Sequence, residues 1–338
     1  MPEPQTFVYS TVNECEIHLD LYLPAAAPAS QEAPLALPVV LFFHGGGVFR
    51  GSRKSVLPEL KDAALFKNWA FISADYRLLL PSTGFDILTD IAALFTFLAT
   101  LPAIDTARIM VAGHSGGAYV ARQAAIHGTP RPRGFFSVSG QGGHLLSPAY
   151  FTPKPYLQKK LLGTYRKYST RSSAEFLGLK ECSEFAWEWR ERRGKRKAGE
   201  VPVVGGRAWL AGMAAVMGTR LDFLTGREGF SGVLREAGGG GGGVDLEALV
   251  PMAMRVLFPE LMMGGEFPPS FVLHGTGDKN VGIGESEKTV KELERMGVEC
   301  VFVAAENWGH GWSEEVWNRW GKDVVPFFER CISDKTEA

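Results

Sequence analysis

Several things are scarce in this chain, and each scarcity excludes something. Four cysteines (Cys15, Cys182, Cys300 and Cys331) lie far apart and form no CxxC pair, so neither a zinc knuckle nor a disulfide scaffold is signalled. No apolar run reaches the roughly 18 residues of a membrane-spanning helix. The opening MPEPQTFVYS has neither the basic start nor the apolar core of a secretory leader. Charge of one sign is also lacking: 36 Lys and Arg against 37 Asp and Glu leave a formal net charge of −1. That balance argues against a partner bound by neutralising phosphates, so no nucleic acid is expected. No metal-ligand cluster, dinucleotide fingerprint or G-x-x-x-x-G-K-[ST] phosphate loop occurs, and no cofactor or metal is expected. The default expectation is a soluble, cytoplasmic protein.

What the chain does have is apolar residues, 45% of its 338, and 40 glycines, well above the roughly 7% that is usual. The first is enough for a large core. The second is uneven, since 21 of the 40 glycines fall within 141–268. Outside that stretch, short apolar runs alternate with helical patterns. Strands are expected at Pro38–Phe43, Ala70–Ala74, Ile109–Ala112, Gly134–Val138, Ser270–Leu273 and Cys300–Ala304. All are continuous rather than alternating, as strands covered on both faces are. Ile87, Ile91, Leu94, Leu98 and Leu101 keep a helical spacing that Pro102 stops, and a shorter stripe through Val290, Leu293 and Met296 stops at Gly297. The period-2 stretch within Thr6–Leu23 suits one or two added antiparallel strands. Strand–helix alternation implies a mostly parallel sheet between helical layers.

The stretch 141–268 breaks that rhythm. It carries a basic block from Arg190 to Lys197, read as a solvated helix end, and six glycines at 238–243, read as a flexible linker. We expect a core made of 1–140 and 269–338, and a large, mainly helical cap or lid inserted at 141–268. Phe185, Trp187, Trp189, Trp209 and Phe223 either contact substrate or form the cap's own small core. The last segment, Ser313–Ile332, suits packing on the sheet, with a homodimer as the alternative.

Three glycine-associated signatures sit where strands end, the place open α/β sheets put their sites. Gly113-His114-Ser115-Gly116-Gly117 follows one strand and precedes a helical stretch. A nucleophilic serine needs such a sharp turn, with glycines to relieve crowding and a helix N-terminus to favour developing negative charge. His44-Gly45-Gly46-Gly47 follows another strand, and its bare backbone suits N–H donors aimed at an oxyanion. His274-Gly275-Thr276-Gly277-Asp278 follows a third, and His310 lies in the glycine-flanked loop after a fourth. A serine hydroxyl needs a base, and the base needs an orienting carboxylate. Among seven histidines only His310 follows the candidate acid in the order Ser, acid, His. Asp278 is preferred as the acid; Asp245, Glu247 and Glu260 are read as surface residues of the insertion, and Glu285 as a weaker rival. His44, His114 and His274 are read as structural.

On these residues, together with Asp75-Tyr76-Arg77-Leu78, the chain resembles the α/β-hydrolase superfamily, most closely its hormone-sensitive-lipase-like carboxylesterase branch. The elbow departs from that branch in His114 and Gly116, where Asp and Ala are usual. The resemblance implies an α/β-hydrolase fold, with Ser115 as nucleophile, His310 as base, Asp278 as its acid and the N–H groups of Gly46, Gly47 and Gly116 as the oxyanion hole. It implies structural roles for Asp75 and Arg77. Val48, Phe49 and Arg50, next to the glycine run, are candidate substrate contacts. The activity expected is hydrolysis of a small-molecule carboxylic ester. Alternatives are an amide, formamide, lactone or peptide substrate, acyl transfer, or a non-catalytic ligand receptor on the same fold.

Overall fold

The computed structural model describes residues 3–25, 36–155, 207–239 and 244–333. The basic block, Phe185, Trp187, Trp189 and Gly240–Gly243 lie outside the described residues, as does the Trp209 side chain. Eight strands form one sheet in the order β1-β2-β4-β3-β5-β6-β7-β8. They are β1 (Gln5–Val12), β2 (Cys15–Tyr22), β3 (Leu37–Phe43), β4 (Ala70–Ala74), β5 (Ile104–His114), β6 (Gly134–Val138), β7 (Ser270–Gly275) and β8 (Cys300–Ala305). The two added strands pair antiparallel with each other and β2 with β4; every other pairing is parallel. All six expected strands are present. β5 begins five residues earlier than its apolar run, because Ile104 pairs with Leu37 across a register shift.

Helices cover both faces. On one side α2 (Gly84–Leu98) and α3 (Gly116–His127) pack Ile87, Ile91, Leu94, Val120 and Ala124 against the inward residues Val39, Leu41 and Phe43 of β3. On the other, α1 (Pro58–Phe66) and the C-terminal helix α10 (Glu314–Ile332) bury Leu60, Val324, Phe327 and Phe328 with Val40 and Phe42. Because β3 is covered on both faces, both halves of its alternation must be apolar, which is why the run is continuous. The helix α10 therefore packs on the sheet and continues through Pro326. A capping box sets the start of α2, with Asp86 accepting the Thr83 backbone N–H at 2.7 Å. Gly297, at φ 70°, follows α9 (Gly284–Arg295) in the left-handed conformation expected of a helix stop.

The described part of 141–268 is helical: α4 (Pro148–Phe151), α5 (Arg207–Met217), α6 (Arg220–Thr225), α7 (Phe230–Gly239) and α8 (Pro259–Met262), with two 3₁₀ turns between. Leu221, Leu224, Phe230, Leu257 and Phe258 are buried in the same cluster as β3 and α2. Two of the six glycines, Gly238 and Gly239, belong to the end of α7. Glu260 differs from expectation. Its carboxylate turns inward, Oε1 accepting the Leu146 N–H at 3.0 Å and Oε2 buried without a partner among the described residues. Burial lifts its pKa to about 7. A charged residue on a short helix reads as surface when only its type is visible. Cys15 is disulfide-bonded, which the wide spacing of the cysteines does not signal, whereas Cys300 and Cys331 are free. No described helix is long and apolar enough to cross a membrane.

Candidate active site

The sharp turn between β5 and α3 puts Ser115 at φ 56° and ψ −124°, in a region costly for a residue with a side chain. Three backbone hydrogen bonds hold it there: Ser115 N–H donates to Val138 O at 2.9 Å, and its carbonyl accepts from Ala118 and Gln141 at 3.1 and 3.0 Å. The neighbouring glycines leave no room for a side chain. A Cβ on Gly113 would lie 2.3 Å from Gly117 O, and one on Gly117 only 2.1 Å from Phe43 O. The strained serine is therefore a consequence of close backbone packing, as functional strain usually is.

His310 Nε2 lies 2.9 Å from Ser115 Oγ, and its Nδ1 lies 2.7 Å from Asp278 Oδ2. The structure thus brings together three residues from the ends of β5, β7 and β8. Asp278 has no exposed side-chain surface. Burial alone would raise its pKa. Hydrogen bonds from His274, His310 and the N–H groups of Val281 and Asn280 outweigh it and hold the carboxyl well below the usual range. An ionised Asp278 only accepts, so Nδ1 of His310 carries the proton and Nε2 turns its lone pair to the serine hydroxyl. His274 is a satisfied structural histidine: Nε2 lies 3.0 Å from Val281 O and 3.4 Å from Asp278, and Nδ1 lies 2.7 Å from Ser286 Oγ. Glu285 is placed elsewhere, accepting the N–H groups of Gly143 and His144 at 2.8 and 2.9 Å.

His114 is a packed side chain beside the candidate base. Its ring lies 5.3 Å from that of His310, its Nε2 is buried and unpartnered among the described residues, and burial lowers its pKa to about 4. It therefore stays neutral beside His310 near neutrality and adds no like charge there.

The glycine run after β3 turns toward Ser115 through Gly46 at φ 118°, Gly47 at 67° and Val48 at 60°. A Cβ on Gly116 would lie 2.5 Å from Gly47 N and 2.6 Å from Val48 N, so this loop's amides press directly on the helix start behind the serine. A left-handed Val is rare because it is β-branched; Leu79 N–H, donating to Val48 O at 2.9 Å, helps pin it. The DYRL run holds the loop from beneath. Asp75 accepts from Arg53 N–H at 2.6 Å and pairs with the Arg53 guanidinium, and Tyr76 O–H donates to His44 O at 2.8 Å, its ring stacked on the His44 ring at 4.4 Å. Arg77 pairs with Asp90 at 2.8 Å and Asp86 at 2.9 Å, at the start of α2. These contacts are structural, as the resemblance implies for Asp75 and Arg77.

A cavity of about 340 Å³, its open mouth included, adjoins the glycine loop. Val48 and Phe49 line it, as does Leu79; Arg50 is exposed and is not among the lining residues, its carbonyl instead closing the turn over Gly46. The remaining wall, which sequence reading missed, comes from Tyr119, Gln141, Leu145, Tyr150, Arg220, Leu221 and Leu224. Tyr119 is in α3 and the rest are in the inserted stretch, where no motif marks a position. Among the described residues no cluster of His, Cys, Asp and Glu is arranged to hold a metal ion.

Two family models match the chain: BD-FAE over residues 19–134 and the prolyl oligopeptidase family over residues 258–335. A probable carboxylesterase M8 of a Phoma species is 33% identical over 137 residues, 36% of this chain and 41% of that protein. A non-reducing polyketide synthase, Preu6 of Preussia isomera, is 25% identical over an alignment covering 92% of this chain and 14% of the synthase. The chain thus spans less than half the length of the carboxylesterase and about a seventh of the synthase. Among solved structures, the butyrate-bound thermophilic esterase Est2 of Thermogutta terrifontis superposes with a TM-score of 0.59 at 16% identity, covering 100% of this chain and 97% of the esterase. The matched segments carry the strand–glycine loop at one end of the chain and the acid and histidine loops at the other, joined through a sheet of the same architecture: this chain has the α/β-hydrolase fold and is similar to proteins named as esterases.

Proposed function

We propose that the chain is a serine hydrolase that cleaves a carboxylic ester of a small or medium, largely apolar substrate. The observation that carries this reading is the run of hydrogen bonds from Asp278 through His310 to Ser115, 2.7 and 2.9 Å long, at a strained serine. The relatives support it, through a probable carboxylesterase and an esterase structure. Ser115 Oγ attacks the carbonyl carbon and gives its proton to His310 Nε2. The oxyanion is held by the N–H groups of Gly46, Gly47 and Gly116, a kind of donor whose loss typically costs about 3 kcal/mol of transition-state stabilisation. Collapse expels the alcohol, which takes the proton from His310. Water, deprotonated by the same nitrogen, then attacks the acyl-enzyme and frees the acid. The inserted helices form the lid side of the acyl pocket, with Val48 and Phe49 opposite.

A second reading passes the acyl group to an alcohol or amine acceptor instead of water, and the polyketide synthase alignment favours it. Rapid mixing with p-nitrophenyl esters tests both. A burst of about one nitrophenol per chain is expected, with steady turnover accelerated by added nucleophiles only under the second reading. Ser115→Ala should abolish the burst; a burst that survives overturns the proposal.

A further inference from the structure

The cavity beside the glycine loop is lined mainly by apolar side chains, and the hydroxyl of its Tyr119 is already engaged. Tyr119 O–H donates to Leu257 O at 3.1 Å and accepts from Gln123. Arg220 and Gln141 are different. Neither side chain makes a hydrogen bond or ion pair with the described residues. The one contact of the Arg220 guanidinium with a described side chain is over the Tyr150 ring, at 5.8 Å, and its Nε is buried without a partner. Both reach the glycine loop, since a Cβ on Gly47 would lie 3.9 Å from Arg220 Nη2 and 3.8 Å from Gln141 Oε1. A half-buried guanidinium beside an apolar wall, its Nε buried and with no counter-ion among the described residues, gains from a ligand that supplies the opposite charge.

We propose that Arg220, assisted by the Gln141 amide, binds a second carboxylate on the acyl part of the substrate. The preferred substrates are then half-esters of short dicarboxylic acids. The inference rests on the hydrolase reading above for its chemistry, though not for its binding. An acyl oxygen on the Gly47 N–H lies close to Arg220, so the second carboxylate must be near the scissile carbonyl. With each carbon–carbon bond adding about 1.5 Å, a succinyl or glutaryl length fits. Arg is suited to the task because its planar donors match a carboxylate in bidentate fashion.

The test compares monoethyl succinate with the shape-matched ester in which an isopropyl group replaces the free carboxylate. Wild-type kcat/KM should favour the half-ester by about tenfold or more, the range of a hydrogen bond to a charged group. Arg220→Gln should abolish that ratio, and Arg220→Lys should restore part of it. A wild type that prefers the uncharged ester, or an Arg220→Gln that loses equally on both so that the ratio is unmoved, overturns the proposal. Calorimetry with succinate separates this from failure of the hydrolase reading. Binding to wild type that Arg220→Gln loses supports the carboxylate site even if neither ester is cleaved; no binding to wild type overturns it.

Discussion

Replacing Asp278 by Asn changes one atom and tests the whole relay. Asp278 Oδ1 accepts two backbone N–H groups, from Asn280 at 2.8 Å and Val281 at 3.0 Å, while Oδ2 faces His310 Nδ1 at 2.7 Å. An amide can take two orientations there. With its NH₂ at the Oδ1 position, two backbone donors lose their acceptor, at about 1–3 kcal/mol each. With its oxygen at that position both are kept, and the NH₂ is turned toward His310. The second orientation wins, and Nδ1 must then accept. Its proton moves to Nε2, the nitrogen facing Ser115 Oγ, and no base remains for the serine. The comparable change in a known triad lowers kcat about 10⁴-fold. At about 1.36 kcal/mol per decade, that is a barrier roughly 5 kcal/mol higher. Steady-state kinetics on a p-nitrophenyl ester should show that loss in kcat with KM changed by no more than a few-fold. A loss under tenfold would mean that Asp278 does not set the His310 tautomer, and the argument from its four donors would be wrong.

Three further outcomes follow from packing and charge. Glu260 has a native pKa near 7, against about 4.3 in the unfolded chain. Between those values the native state holds a proton that the unfolded state has lost, so stability falls as pH rises through that window and stays low above it. Glu260→Gln should therefore raise Tm at about pH 8 and much less at about pH 5; an equal shift at both, by circular dichroism melting, would contradict the assignment. Arg53→Met leaves Asp20 and Asp75 buried without their shared cation, which Arg53 Nε meets at Asp20 at 3.0 Å. A loss of roughly 3–5 kcal/mol in urea unfolding is expected, partly softened by Lys54 on Asp20. Gly117→Ala puts a methyl group 2.1 Å from Phe43 O, where only backbone can yield. It should cost about 1–3 kcal/mol of stability and most of the activity; a fully active variant of unchanged Tm would show that the elbow is not held by this contact.

The framework was legible because its signals are local. β3, β4, β6 and β7 must be apolar on both faces, and such runs can be seen without knowing their neighbours. Ser115, Asp278 and His310 stand at glycine-marked strand ends, so topology brings together what the sequence holds far apart. The cavity wall was not legible. Tyr150, Arg220 and Leu224 come from short helices of the insertion, where hydrophobic periodicity does not say which face meets the sheet. The inward Glu260 and the placement of His114 against His310 depend on tertiary packing in the same way. Arg50 follows the glycine run directly, but the left-handed turn through Gly46–Val48 sends it to the surface while Val48 and Phe49 enter the cavity.

The central claim is that Ser115 is the nucleophile, and covalent labelling tests it most directly. A fluorophosphonate probe should add one adduct per chain by intact mass, peptide mapping should place it on Ser115, and Ser115→Ala should remain unlabelled. An adduct on another residue, or one that persists in Ser115→Ala, would contradict the account.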